Sequence, residues 1–212
     1  MQTLNEAYNT RINLIHDQYT NIISPFIMQL EVLDGEFPVE IINEIRAIFG
    51  HLSKCHLSND DGVVERNLAK ADSHIKRAII DCYKYLCFAY DDNYKEFERK
   101  YIDVDLSEID NGEFLPLLCK KRKLAKDKII HAKKLELSTS DEGILYSNFE
   151  EAYNAYADVY NLVSDSFEKL ERLKRKANTR ELRANKRYRT GIYIGIAGLV
   201  VGITSTIIAF LK

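Results

Sequence analysis

The run Gly191–Leu211 reads GIYIGIAGLVVGITSTIIAFL; it carries no charged residue, and only Lys212 follows it. At 1.5 Å per residue it makes a helix of roughly 30 Å, the thickness of a bilayer's hydrocarbon core. In hydrocarbon each backbone N–H and C=O must be satisfied within the segment, so the run is expected to be one C-terminal transmembrane helix rather than a buried core helix. Gly191, Gly195, Gly198, Gly202, Ser205 and Ala209 are spaced 4, 3, 4, 3 and 4, which lays small residues along one helical face. Such seams let backbones approach closely and drive helix association in lipid, so this face is the expected assembly or pore-lining surface.

A dense basic run precedes the apolar one: Arg172, Lys174, Arg175, Lys176, Arg180, Arg183, Lys186, Arg187 and Arg189. Positive-inside logic then places residues 1–190 in the cytoplasm of a single-pass protein, and the same charges can meet anionic headgroups. The first twenty residues mix Asn5, Glu6, Arg11 and Asp17 among apolar positions and do not read as a signal peptide.

The remainder is long enough for a helical domain with a core of its own. The whole chain of 212 residues has 3 Pro and 9 Gly, and Gly191, Gly195, Gly198 and Gly202 are among the latter. So few breakers favour long helices. Apolar periodicity gives a first helix over 3–33, kinked or divided at Pro25 and closed at Asp34-Gly35. A second opens at Pro38 and runs to about Leu57; a third covers about 62–101 and a fourth about 114–137. Between the last two, Asp103, Asp105, Glu108, Asp110 and Glu113 make an acidic, irregular stretch with a turn at Asn111-Gly112.

Phe149, Tyr153, Tyr156, Tyr160, Val163, Phe167 and Leu170 follow a heptad, and no Pro or Gly interrupts 144–190, so a fifth helix is expected to run unbroken into the membrane. The fold class is therefore all-α, a cytoplasmic helical bundle with one C-terminal transmembrane helix. Its parts are a helical domain over 1–140, a long helix with a basic stalk over 141–190, and the span 191–211.

Net charge is −2, which excludes a globally basic nucleic-acid binder. The charge is segregated nonetheless. Lys120, Lys121, Arg122, Lys123, Lys126 and Lys128, with Lys133 and Lys134, crowd residues 120–134 of the fourth helix, where Asp127 is the one acid. Two readings stand: a salt-bridged face opposite the acidic stretch 91–113, or a site for a nucleotide, oligonucleotide or RNA. The 4 cysteines (Cys55, Cys82, Cys87, Cys119) lack CxxC spacing and read as free thiols, mostly buried; no paired-ligand spacing marks a metal site. There is no Walker loop, GxGxxG, HExxH or Ser-His-Asp arrangement, so no cofactor and no conventional enzyme is expected.

Arg46-Ala-Ile-Phe-Gly-His51 fits the RxxxxH pattern, as does Arg11–His16. Around the former, Asn43-Glu44-Ile45-Arg46-Ala47 through His51-Leu52, then Glu65-Arg66-Asn67-Leu68-Ala69-Lys70-Ala71 through His74-Ile75-Lys76-Arg77-Ala78, Asp81 and Lys84 resemble HEPN-like helical proteins of bacterial defence systems over about residues 38–90. The resemblance implies that Arg46 and His51, paired across a dimer, are the residues for RNA cleavage if any is catalysed. It also implies that they lie near His74 and Arg77. By spacing, His74, Arg77, Asp81 and Lys84 share a helical face, as a binding cluster or as a polar network without chemistry.

The layout of bundle plus membrane helix resembles small bacterial antiphage membrane effectors. One group is the CRISPR-associated accessory proteins that oligomerise into pores, from which this chain departs in having its span at the C-terminus. The other is the channel effector of Hailong-type defence. Either resemblance implies a homo-oligomer in the bacterial inner membrane, controlled by a nucleotide or oligonucleotide ligand, or by a nucleotidyltransferase or CRISPR nuclease encoded beside it. A membrane-tethered HEPN RNase and a non-catalytic membrane adaptor are the alternatives.

Overall fold

The computed structural model describes the backbone of residues 2–210 and the side chains of residues 8–195. Among these the chain is all-α, with no strand. The helices are α1 (Gln2–Gln18), α2 (Ser24–Asp34), α3 (Val39–Leu57), α4 (Asp61–Lys100), α5 (Phe114–Ser138), α6 (Glu142–Asp165) and α7 (Phe167–Phe210). A π turn, Tyr19–Ile23, joins α1 to α2, and two short 3-10 turns lie between α4 and α5.

Local chemistry sets the boundaries. Pro25 falls at the start of α2, directly after the π turn; the backbone stays right-handed helical through Gln18, Ile23 and Ser24, so the helix is not divided there and the wider π turn accommodates the proline. Gly35 ends α2 at φ 71°, a left-handed cap that a Cβ would strain. Asp60 begins α4 by accepting from the backbone N–H of Gly62 (2.8 Å) and Val63 (3.2 Å). Asp141 does the same for α6 through Gly143 (2.9 Å) and Ile144 (3.2 Å).

The chain forms two compact units. The first joins Met1–Lys100 with Pro116–Asp165. Its axis is α4, against which α1, α2, α3 and α6 pack. Leu68, Ala71, Ile75, Ala78, Ile79, Cys82 and Leu86 are at most 2 % exposed, the stripe that the helical period of the sequence anticipates. Burying each of the large aliphatics is worth about 1.5–3 kcal/mol. Aromatic rings fill the rest: Tyr153 lies 5.3 Å from Phe26, 5.4 Å from Tyr83 and 6.2 Å from Tyr90, while Tyr160 lies 5.0 Å from Tyr90. The heptad of α6 thus packs inside its own bundle as far as Tyr160. Cys55, Cys82 and Cys87 are buried free thiols and Cys119 is an exposed one.

The second unit joins Tyr101–Leu115 with Ser166–Lys212. Its core is small: Tyr101, Ile109, Phe114 and Leu170 are buried. Asp110, Asn111 and Gly112 have φ of 48°, 56° and 92°, three consecutive left-handed residues of the types that bear that conformation at least cost. This is the turn expected at Asn111-Gly112, extended back by one residue.

One expectation is corrected. Residues 144–190 are not one helix, because a turn at Ser166 separates α6 from α7 and falls on the boundary between the units. The heptad fails there: Phe167, assigned to the seam by spacing, is 52 % exposed, while Ser166 is buried. Among the described residues no helix is long and apolar enough to cross a membrane. The span expected over Gly191–Leu211 is therefore not a feature of the described structure; from residue 196 onward its side chains lie outside the described ones.

Candidate functional site

The pairing of α3 with α4 sets His51 against His74, their rings stacked with centroids 5.2 Å apart and 21° between planes. The His51 Nδ1 is 2.9 Å from Asn67 Oδ1. Asn67 Nδ2 already donates to the Val63 carbonyl (2.8 Å), so Oδ1 is the acceptor and His51 Nδ1–H the donor. The His74 Nδ1 lies 2.6 Å from Glu44 Oε2, an acceptor, which puts a hydrogen on that nitrogen as well. Both imidazoles are held by Nδ1 and keep Nε2 for another partner, the arrangement a general base needs.

The structure thus brings together two of the four residues expected here. Arg46 is exposed; five residues from His51, it stands about 140° away around the α3 axis, so one chain does not bring the two onto one phosphate. Arg77 is held by Ser73 of its own helix, donating from Nη2 to Ser73 Oγ (3.0 Å) and from Nε to the Ser73 carbonyl (3.4 Å). Asn67 and Glu44 stood in the quoted stretches without a role. Their signal is helix pairing, which sequence spacing within either helix does not carry.

Arg77 instead lines a cleft of about 310 Å³ with Asp81, Lys84, Glu136 and Glu142. Lys84 is only 19 % exposed; it pairs with Asp81 (3.2 Å) and with Glu136, and sits 5.1 Å from the Phe149 ring centroid. Burial pushes the Asp81 carboxyl above the usual carboxylate range despite the Lys84 charge beside it. Glu142 accepts from Ser73 Oγ (2.5 Å) and pairs with Lys76 (3.7 Å). The shared face expected for His74, Arg77, Asp81 and Lys84 is therefore split. His74 belongs to the histidine pair, and the other three belong to a network whose charges compensate one another.

On α5 the cations sort by face. Arg122 is 15 % exposed, bonded to Glu98 (2.7 Å) and near Asp91 (3.5 Å), its guanidinium carbon 3.6 Å from the Tyr94 ring centroid. Lys121 pairs with Asp158 (2.6 Å) and Lys128 with Glu151 (2.5 Å), and Lys133 lies 4.5 Å from the Phe88 ring centroid. Lys120, Lys123, Lys126 and Lys134 are exposed, and no ion pair joins them to another described residue. So the salt-bridged face exists, and a solvated basic strip runs beside it. Asp158 and Glu151 were not anticipated as partners; their spacing of seven on α6, flanking the aromatic heptad, is the signal that finds them.

In the second unit the acidic stretch lies on α7. Asp110 pairs with Lys169 (2.5 Å), and Glu108 pairs with Lys176 (2.5 Å) and Arg180 (3.6 Å). Tyr101 OH donates to Glu171 (2.6 Å). The Glu108 carboxyl is held below the usual range by its hydrogen bond from Lys176. An open cleft of about 450 Å³ between turn and helix includes Arg172. Of the small-residue seam, Gly191 and Gly195 have open space where a Cβ would stand. Gly198, Gly202, Ser205 and Ala209 lie outside the described side chains.

No protein-family model, curated protein or solved structure matches the chain. The functional reading therefore stands on residues and geometry. Among the described residues no group of His, Cys, Asp and Glu is arranged to hold a metal ion.

Proposed function

We propose that this protein is a homo-oligomeric channel or pore of a bacterial inner membrane, an antiphage defence effector with its helical bundle in the cytoplasm. The observation that carries the reading is the charge-free run Gly191–Leu211 with its small-residue seam. It is supported by α7, a single helix from Phe167 to Phe210 that runs through the basic stalk into that run. A helix with one small-residue face packs on copies of itself in lipid. A phosphate-rich ligand, a nucleotide or an oligonucleotide, controls the assembly from the bundle. The exposed strip Lys120, Lys123, Lys126 and Lys134 is its docking face, because these cations are the ones α4 and α6 leave unneutralised.

The test is Gly198→Leu and Gly202→Leu in the full chain. Both substitutions keep the run apolar and block close approach. Loss of crosslinked oligomers and of membrane depolarisation is expected in cells. Assemblies and depolarisation unchanged in both variants sink the reading. Full function with a Leu-rich anchor in place of 191–211 would establish the adaptor alternative instead.

The stacked histidines favour one second reading, a membrane-tethered RNase. His51 would be its base, and Arg46 of another copy would contact the phosphate, since Arg46 of the same chain faces away. It requires that His51→Ala abolish RNA cleavage and growth arrest; arrest that survives the substitution rejects it.

A further inference from the structure

The cations of α7 differ in their partners. Lys169, Lys176 and Arg180 are neutralised by Asp110 and Glu108. Beyond them Glu181 is the last acidic residue of the chain. Arg183, Lys186, Arg187 and Arg189 are exposed, and no described residue forms an ion pair with them. Every described residue from 178 to 195 is exposed, so no described residue covers this cluster. Because α7 is unbroken, the cluster stands in fixed register with the apolar run. Arg187 lies about 6 Å and Arg183 about 12 Å along the axis from Gly191. At about 100° per residue, Arg183 and Arg187 fall within a quarter turn of the seam's line, whereas Lys186 and Arg189 fall on the opposite side.

We propose that the conductance is selective for anions and that Arg183 and Arg187 set its sign. This rests on the channel reading above. Assembly through the seam brings one copy of each arginine per subunit to the mouth of the path, making a ring of like charge. Rings of Arg and Lys select anions as carboxylate rings select cations. The ring stands within one to two Debye lengths of the apolar run at physiological salt (about 8 Å), close enough for its field to concentrate anions at the entrance. The acidic turn of the second unit neutralises Lys169, Lys176 and Arg180 and leaves these.

The experiment is a reversal-potential measurement on the full-length protein in planar bilayers of phosphatidylcholine, under a KCl gradient. Chloride is expected to permeate over potassium by roughly tenfold, the lower end of what a one-sign entrance achieves. The ratio should fall as salt is raised. Arg183→Gln with Arg187→Gln should bring it close to unity, and Lys186→Gln with Arg189→Gln, on the far side, should leave it in place. An unselective or cation-selective wild-type conductance overturns the proposal, as does equal loss from both pairs of substitutions. Selectivity that vanishes when phosphatidylglycerol is added also overturns it, by showing that headgroups take these cations. A bilayer that stays silent despite intact crosslinked oligomers defeats the channel reading itself, and this inference with it.

Discussion

Two helices of nearly equal length, α4 with 40 residues and α7 with 44, are held in opposite ways. Along α4, buried side chains recur at every turn from Leu68 to Phe97. Among the described residues of α7, Leu170 is buried and the helix is exposed from Asn178 to Gly195. Neither contains proline, although α7 carries four glycines in its apolar run where α4 has one at its start. What differs is the packing. Most helical stability in proteins comes from tertiary packing, and the described side chains of α4 have it within their own chain, whereas those of α7 from Asn178 to Gly195 do not. Over residues 178–190 the helix is exposed on all sides and belongs to no core among the described residues.

Truncation of a buried leucine is the strongest way to break this contrast. Leu86→Ala should cost about 2–5 kcal/mol in denaturant unfolding of the first unit. Leu182→Ala, at a position 71 % exposed on α7, should stay within about 0.5 kcal/mol. Similar losses at the two sites would mean that α7 is packed after all.

A smaller effect separates the two classes of cation on α5. Arg122→Ala removes a mostly buried guanidinium from Asp91, Glu98 and Tyr94, and should destabilise the first unit by about 1–3 kcal/mol through the groups it leaves unpaired. Lys120→Ala, at an exposed position, should be neutral to within about 0.5 kcal/mol in the same assay, yet should weaken retention on a polyanion such as heparin. Equal destabilisation by both substitutions would erase the distinction between paired and solvated cations.

The smallest effect is on the acidic turn that holds α7. The folded pKa of Glu108 lies below its ordinary value of 4.5. Its stabilising contribution is therefore complete above 4.5 and is lost as pH falls through the depressed folded value. Amide exchange in residues 169–180, corrected for intrinsic rate, should show protection that declines on acidification into that range, and Glu108→Gln should abolish the pH dependence. Protection unchanged by either would show that these ion pairs do not hold the helix.

The all-α class and the course of α3, α4 and α5 were legible in the sequence because periodicity, capping residues and scarce breakers agree. Asp60 and Asp141 cap the helices they precede and Gly35 closes α2, while Pro38 stands one residue outside α3 in an extended conformation. The break at Ser166 was not legible, since no proline or glycine marks it and the heptad continues through Phe167 on paper. Of the candidate site, the His51–His74 approach was anticipated, while the roles of Asn67 and Glu44 depended on how α3 meets α4.

What is local or additive along the chain can be read residue by residue: the helices, their caps, the apolar run and its seam, and the segregation of charge. Which charges are neutralised depends on the fold. Neutralisation depends on distances between side chains from different helices, as in Arg122 with Glu98, Lys121 with Asp158 and Lys176 with Glu108. One-dimensional spacing does not encode those distances. By pairing some cations and leaving others in solvent, the fold turns two uniformly basic stretches into a neutralised face and an open one.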